Sequence, residues 1–192
     1  MTGHRTKFTA ALISALALAA ALAVVAPTAL AGKSDDSAPP PEPTDPTIVV
    51  APNSLGGVSV GQSSADAEAA WGNTGECTSG SAGGSSTRSC RYGSPTKGSA
   101  DLLALGDQVQ AVGIMAPLGK HGFRFKGPMM KFRTTEGLGL GSKLSKVAKA
   151  YPDGKEKGRG FVVTDGESRM NFFASRGPKA RVTQVILTDA HL

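Results

Sequence analysis

Acidic residues are missing from the first 34 positions of this 192-residue chain, and Asp35 is the first. Aromatics are scarce at 5%, cysteine occurs twice and histidine three times. Each shortage excludes something. His121 and His191, the two histidines outside the leader, stand alone and far apart, so no metal-ligand spacing exists. The cysteines, Cys77 and Cys90, form no C-x-x-C pair and have no histidine nearby, which argues against a redox or metal centre. No metal or other cofactor is expected. The chain also contains no N-x-S/T glycosylation acceptor.

The acid-free start carries His4, Arg5 and Lys7, then an Ala- and Leu-dominated run from Phe8 to Val25, then Ala29-Leu30-Ala31. A basic head, an apolar middle and an A-x-A end describe a secretory signal peptide over residues 1–31, cleaved after Ala31. The rival reading is a retained anchor, since Thr9 to Leu30 is nearly long enough to span a bilayer. The A-x-A site favours cleavage. No cysteine follows the run, so a lipoprotein is not expected, and no transmembrane segment is expected in the mature chain.

Cleavage there leaves 161 residues, enough for one domain or two very small ones. Residues 32–115 hold four basic and nine acidic side chains, and residues 116–192 hold fifteen basic and six acidic. The C-terminal half can therefore steer anionic partners, or simply stay soluble. Two cysteines in an exported chain read as one disulfide, Cys77–Cys90, pinning a Gly- and Ser-rich loop from Thr78 to Ser89. Residues 32–46, GKSDDSAPPPEPTDP, combine proline with acid and form an extended linker. Thr47 to Val50 is a short strand candidate.

An internal correspondence follows. Gly57–Gly72 aligns without gaps to Gly137–Pro152, matching Gly61 with Gly141 and Trp71 with Tyr151. Each copy reads as an extended piece, a glycine turn and a helix ending at an aromatic. Leu144, Val147, Ala148 and Tyr151 make one apolar stripe, with Ser142 as cap and Pro152 as stop. Ser63 with Asp66 resembles a capping box, but Ser64 and Glu68 interrupt the first stripe. Strands are expected at Ser89–Gly93, Ala100–Leu105 and Val109–Met115, and again at Gly160–Thr164, Arg169–Ala174 and Arg181–Thr188. The expected fold class is α+β, as two tandem helix-plus-antiparallel-sheet repeats: residues 47–116 with the disulfide loop, and the basic residues 117–192.

The stretch Val58-Ser59-Val60-Gly61-Gln62-Ser63, the helix after it, Trp71-Gly72 and the pair Cys77 and Cys90 resemble the repeat of secreted beta-lactamase inhibitory proteins. They are also similar to small envelope proteins with a BamE-like helix-plus-sheet unit. The resemblance covers about two thirds of the mature chain and implies tandem units and an exported binding protein. The second copy departs from it by lacking a cysteine pair, and the inhibitors' aromatic and acidic contact residues have no counterparts here. The resemblance therefore does not imply inhibition of beta-lactamase.

Several motifs invite chemistry. Gly57-Val58-Ser59-Val60-Gly61 spells the nucleophile elbow G-x-S-x-G, with His121 and His191 as conceivable partners. However, Ser59 aligns with Gly139 while the flanking glycines recur, so the glycines read as turn residues. Gly137 to Lys143 fails the spacing of a phosphate loop. His121 to Phe125 is a poor copy of an RNA-binding motif, and no nucleic-acid partner is expected. No catalytic residue is assigned.

The sharpest candidate is the basic-aromatic segment between the copies. Phe123 and Phe125 alternate with Arg124 and Lys126, and after Gly127-Pro128, Met130 and Phe132 alternate with Lys131 and Arg133. That pattern predicts a two-stranded ribbon or an extended bridge, with one apolar face and one cationic face. Lys120, Arg124, Lys126, Lys131 and Arg133 are candidate ligands for an anionic partner. The alternative is that the apolar face completes the core. The expected function is a secreted, non-enzymatic binding or inhibitor-like module with a protein partner. The second expectation is an envelope protein holding anionic wall polymer or membrane surface, and the least favoured is a serine hydrolase using Ser59.

Overall fold

A computed structural model describes residues 54–177 and 179–191. The expected signal peptide 1–31, the linker 32–46 and the strand candidate Thr47–Val50 lie outside the described residues. The chain opens with β1 (Ser54–Leu55) and β2 (Val58–Ser59), then α1 (Ser64–Ala70). Four strands follow: β3 (Glu76–Ala82), β4 (Ser85–Ser94), β5 (Gly98–Leu105) and β6 (Gln108–Met115). A hairpin of β7 (Leu118–Gly119) and β8 (Gly122–Phe123) and a 3-10 turn (Pro128–Lys131) lead to α2 (Leu144–Ala150). The chain ends with β9 (Lys155–Lys157), β10 (Gly160–Asp165), β11 (Ser168–Ala174) and β12 (Val182–Asp189).

These strands build one eight-stranded sheet in the order β3-β4-β5-β6-β12-β11-β10-β9, antiparallel at every pairing. This corrects the expected fold class of two tandem helix-plus-sheet repeats. Of the described residues, 51% are strand and 13% helix, and the only α-helices among them are two of seven residues each. The physical reason lies at the centre. β6 and β12 belong to different expected repeats, but they pair with each other from Met115↔Gln184 to Ala111↔Thr188. Neither half therefore closes a sheet of its own.

The alignment of Gly57 with Gly137 holds at the scale of a turn. Gly61 and Gly141 sit at φ 84° and 82°, where a side chain is strained. The Gly61 amide donates to the Val109 carbonyl and the Gly141 amide to the Val182 carbonyl, both at 2.8 Å. Each turn is thus tied to the start of a central strand.

One apolar layer runs under the six strands from β4 to β10. Register places Tyr92, Ala100, Ile114, Val185, Phe172 and Phe161 in one transverse row, all 3% exposed or less. The next row holds Cys90, Leu102, Val112, Leu187 and Met170. Both helices, the 3-10 turn and the β1–β2 hairpin cover this face, adding Ala67, Trp71, Met129, Phe132, Leu140 and Val147 to the core. Trp71 meets the Tyr92 ring edge to face at 5.1 Å and donates from Nε1 to the Gly56 carbonyl at 3.0 Å.

Ser63 caps α1, accepting from the Asp66 amide at 3.1 Å and donating to its carboxylate at 2.8 Å. The polar breaks in the first stripe have partners: Ser64 donates to Asp107 at 2.8 Å, and Glu68 pairs with Arg88 of β4. α2 differs from the reading of Ser142 as its cap. Lys143 occupies the N-cap position without a side-chain bond, and the Ser142 hydroxyl accepts from the Gly139 amide instead.

Candidate functional site

The segment from Lys120 to Arg133 does not form the expected two-stranded ribbon. Only Leu118–Gly119 and Gly122–Phe123 pair as strands. After Gly127 the chain enters the 3-10 turn, which Pro128 permits by fixing φ at its first position. Met129 rather than Met130 becomes fully buried beside Phe132. The half after Gly127 thus contributes to the core, while the half before it stays outside.

The five candidate cations divide accordingly. Lys120, Lys126 and Lys131 are exposed and have no side-chain partner among the described residues. Arg124 is exposed but anchored, donating from Nη2 to the Thr96 carbonyl at 2.7 Å while its amide donates to the Pro117 carbonyl. Arg133 is half-buried. Its Nη1 donates to the carbonyls of Phe132 and Leu140 at 3.2 and 3.1 Å, and burial lowers its pKa. Arg133 therefore props up a loop, and the other four form the accessible cationic group.

Beside that group lies apolar surface. Leu118, Phe123 and Phe125 are 44%, 37% and 36% exposed, three of the four exposed large hydrophobics among the described residues. Leu118 and Phe123 are directly opposed in the hairpin, so their side chains leave the same side. Gly119, Gly122 and Arg124 take the other side, where the Arg124 stem crosses Gly119. Phe125 lies under the Arg181 guanidinium, 6.0 Å from ring centroid to Cζ.

A second surface was not legible in the sequence. Neither helix covers the other face of the large sheet. Its central row holds Arg91, Asp101, Gly113, Ile186, Asn171 and Val162, with Lys155 at the end. Rows on either side add Leu103, Met115 and Phe173. Phe173 is 40% exposed, and Leu103, Met115 and Val162 are half-buried. Arg91 Nε pairs with Asp101 Oδ1 at 2.6 Å, and Ser99 donates to the other carboxylate oxygen at 2.8 Å. The sign of this face was readable as alternation within each strand. Its composition depended on β6 meeting β12, which no local pattern announces.

The remaining candidates take structural places. Cys77 and Cys90 are bonded, and they face each other directly across β3 and β4. The Glu68 carboxylate lies near both sulfurs. Those sulfurs carry no thiolate, and Arg88 engages the carboxylate at 2.5 and 2.8 Å, which lowers the Glu68 pKa. Ser59 sits in β2 with its amide donating to Gln62 Oε1 at 2.8 Å, as the Gly139 amide donates to Ser142. His121 and His191 are exposed.

No family model matches the chain. No curated protein matches it either. Among solved structures it is similar to the uncharacterized protein yfeY from Escherichia coli, at 14% identity and a TM-score of 0.44, covering 73% of this chain and 99% of that one. It is also similar to an extracellular protein containing a SCP domain from Bacillus anthracis, at 14% identity and a TM-score of 0.37, covering 68% of this chain and 44% of that one. Neither is a beta-lactamase inhibitory protein or a BamE-like protein. Among the described residues no helix is long and apolar enough to cross a membrane.

Proposed function

We propose that this protein is an exported, non-enzymatic binding module whose helix-free sheet face receives a protein partner. The observation that carries the reading is the make-up of that face. Exposed Phe173 and half-buried Leu103, Met115 and Val162 surround Ile186, with the Arg91–Asp101 pair inside the patch and Lys155 and Lys157 at its rim. An apolar centre with a polar rim is the anatomy of a protein interface, and aromatic anchors carry most of the binding energy in such patches. The rim carries Glu76 at the β3 edge and Lys155 and Lys157 at the β9 edge, so it favours a partner with charges of both signs. The Cys77–Cys90 bond supports an address outside the cytoplasm, where disulfides persist. Cleavage after Ala31 is the finer form of that address, and N-terminal sequencing of the exported protein tests it. An inhibitor-like action, in which this face caps an exported enzyme, is the narrower form of the binding reading.

The test is capture from culture supernatant and envelope extract on the immobilised protein, beside its Phe173→Asp variant. One protein should be retained stoichiometrically by the native face and lost from the variant, with affinity falling at least tenfold in calorimetry. Retention of the same protein by Phe173→Asp, or no specific retention at all, overturns the reading. A serine-directed covalent probe should leave the protein unlabelled.

A further inference from the structure

We infer that the β7–β8 hairpin and the residues around it form a docking site for an anionic lipid surface, separate from the sheet face. Two independent features meet there. The first is charge: no acidic residue occurs between Asp107 and Glu136, while that interval holds Lys120, Arg124, Lys126, Lys131 and Arg133. The second is exposed apolar area concentrated in the same place, at Leu118, Phe123 and Phe125.

The geometry separates the two sides of the hairpin. Arg124 binds the body of the protein through the Thr96 carbonyl, so its side of the ribbon is fixed. Leu118 and Phe123 project from the opposite side as a cross-strand pair, 44% and 37% exposed. Lys120 follows Leu118 by two residues at the turn, Lys126 lies three residues after Phe123, and Lys131 ends the 3-10 turn, all three exposed. An apolar tip with exposed lysines close to it in the chain suits a membrane interface. The tip enters the acyl boundary, and the lysine stems snorkel so that their ammonium groups meet phosphate.

The apolar pair is what selects lipid over other polyanions. A soluble wall polymer engages lysines but gains nothing from Leu118 and Phe123. An anionic bilayer rewards both. The hairpin's small size suits this role, because inserting two side chains requires no rearrangement of the sheet.

The experiment is vesicle flotation of the exported protein with phosphatidylglycerol–phosphatidylcholine vesicles, pure phosphatidylcholine vesicles and, as competitor, soluble poly(glycerol phosphate). Three proteins are compared: the native chain, Leu118→Ser/Phe123→Ser, and Lys120→Ser/Lys126→Ser/Lys131→Ser. All positions are exposed, and coincident thermal unfolding verifies that the variants fold. Native protein should float with the anionic vesicles, increasingly less as salt rises, and stay down with phosphatidylcholine. The apolar variant should lose about tenfold in partitioning, and the lysine variant about fivefold per lysine removed. Equal binding of native and apolar-variant protein overturns the proposal. If poly(glycerol phosphate) then displaces both alike, the site belongs to a soluble polyanion instead. No flotation of the native chain overturns it as well.

Discussion

The Tyr92 ring is 1% exposed, yet its hydroxyl has no hydrogen-bond partner among the described residues, while its neighbour Trp71 has one. Burial raises the Tyr92 pKa, and the nearby Glu68 carboxylate adds to the rise. A buried donor without a partner opposes folding, so removing the oxygen is close to neutral or favourable. Tyr92→Phe should change stability in urea by between zero and about 1 kcal/mol in the stabilising direction. A loss above about 1 kcal/mol would show that the oxygen has a partner. Charged groups act in the other sense. The Tyr151 hydroxyl donates to Glu136 and lowers its pKa, as Arg88 lowers that of Glu68. Stability from a depressed carboxylate is complete above its unfolded value and disappears as pH falls through the folded one. Both therefore contribute at neutral pH and fail in acid, below about pH 4. Tyr151 runs oppositely: burial first, then the bond to Glu136, pushes it up to about 12. Its contribution is complete below about pH 10 and is lost as pH rises through about 12. Tyr151→Phe should flatten both limbs of the stability–pH curve relative to the native chain. A native curve already flat from acid to alkali would remove this account.

The elements show which sequence signals translated. The stripe Leu144, Val147, Ala148 and Tyr151 became α2, and the Ser63–Asp66 box capped α1, because both are local and need no distant partner. Six expected strands formed because each carries apolar residues that the core layer can bury. The Gly- and Ser-rich stretch from Thr78 to Ser89 predicts a loop, yet β3 forms over Glu76–Ala82. Its sequence ECTSGSA has no apolar alternation, and it is exposed except for half-buried Cys77. What makes it a strand is pairing to β4 through the Gly83-Gly84 turn, whose φ values of 59° and 83° suit a tight hairpin. With so little burial, β3 depends on the disulfide. Closing a loop of this size contributes about 3 kcal/mol. Cys77→Ser/Cys90→Ser should lose about that much. Hydrogen exchange should show β3 amides exposed while β5, β6 and β12 keep their protection. Protection retained across β3 in the variant would show that pairing alone suffices.

At the scale of the molecule, local equivalence and global architecture came apart. The turns at Gly61 and Gly141 are alike, and reading outward from them suggested two sheets, because a sequence records the strand but not which edge it meets. The same gap hid the helix-free face, whose centre is assembled from both halves. The junction makes a thermodynamic statement. Since the row from Tyr92 to Phe161 is one buried layer crossing β6 and β12, neither half can expose its edge without uncovering core from the other. Unfolding should therefore be a single transition. Gly113 allows that claim to be tested at the joint. A Cβ there would stand 3.1 Å from the Val185 carbonyl and 3.2 Å from Ile186 Cγ1, so Gly113→Val crowds the β6–β12 contact. The cost should be about 1–3 kcal/mol. Two probes report on opposite halves: Trp71 fluorescence beside α1 and exchange at the β11 amides. If one core is shared, both midpoints fall together and by the same amount, and the transitions remain superimposed. If the halves are independent, the variant pulls the two curves apart, and a plateau between them would count decisively against a shared core.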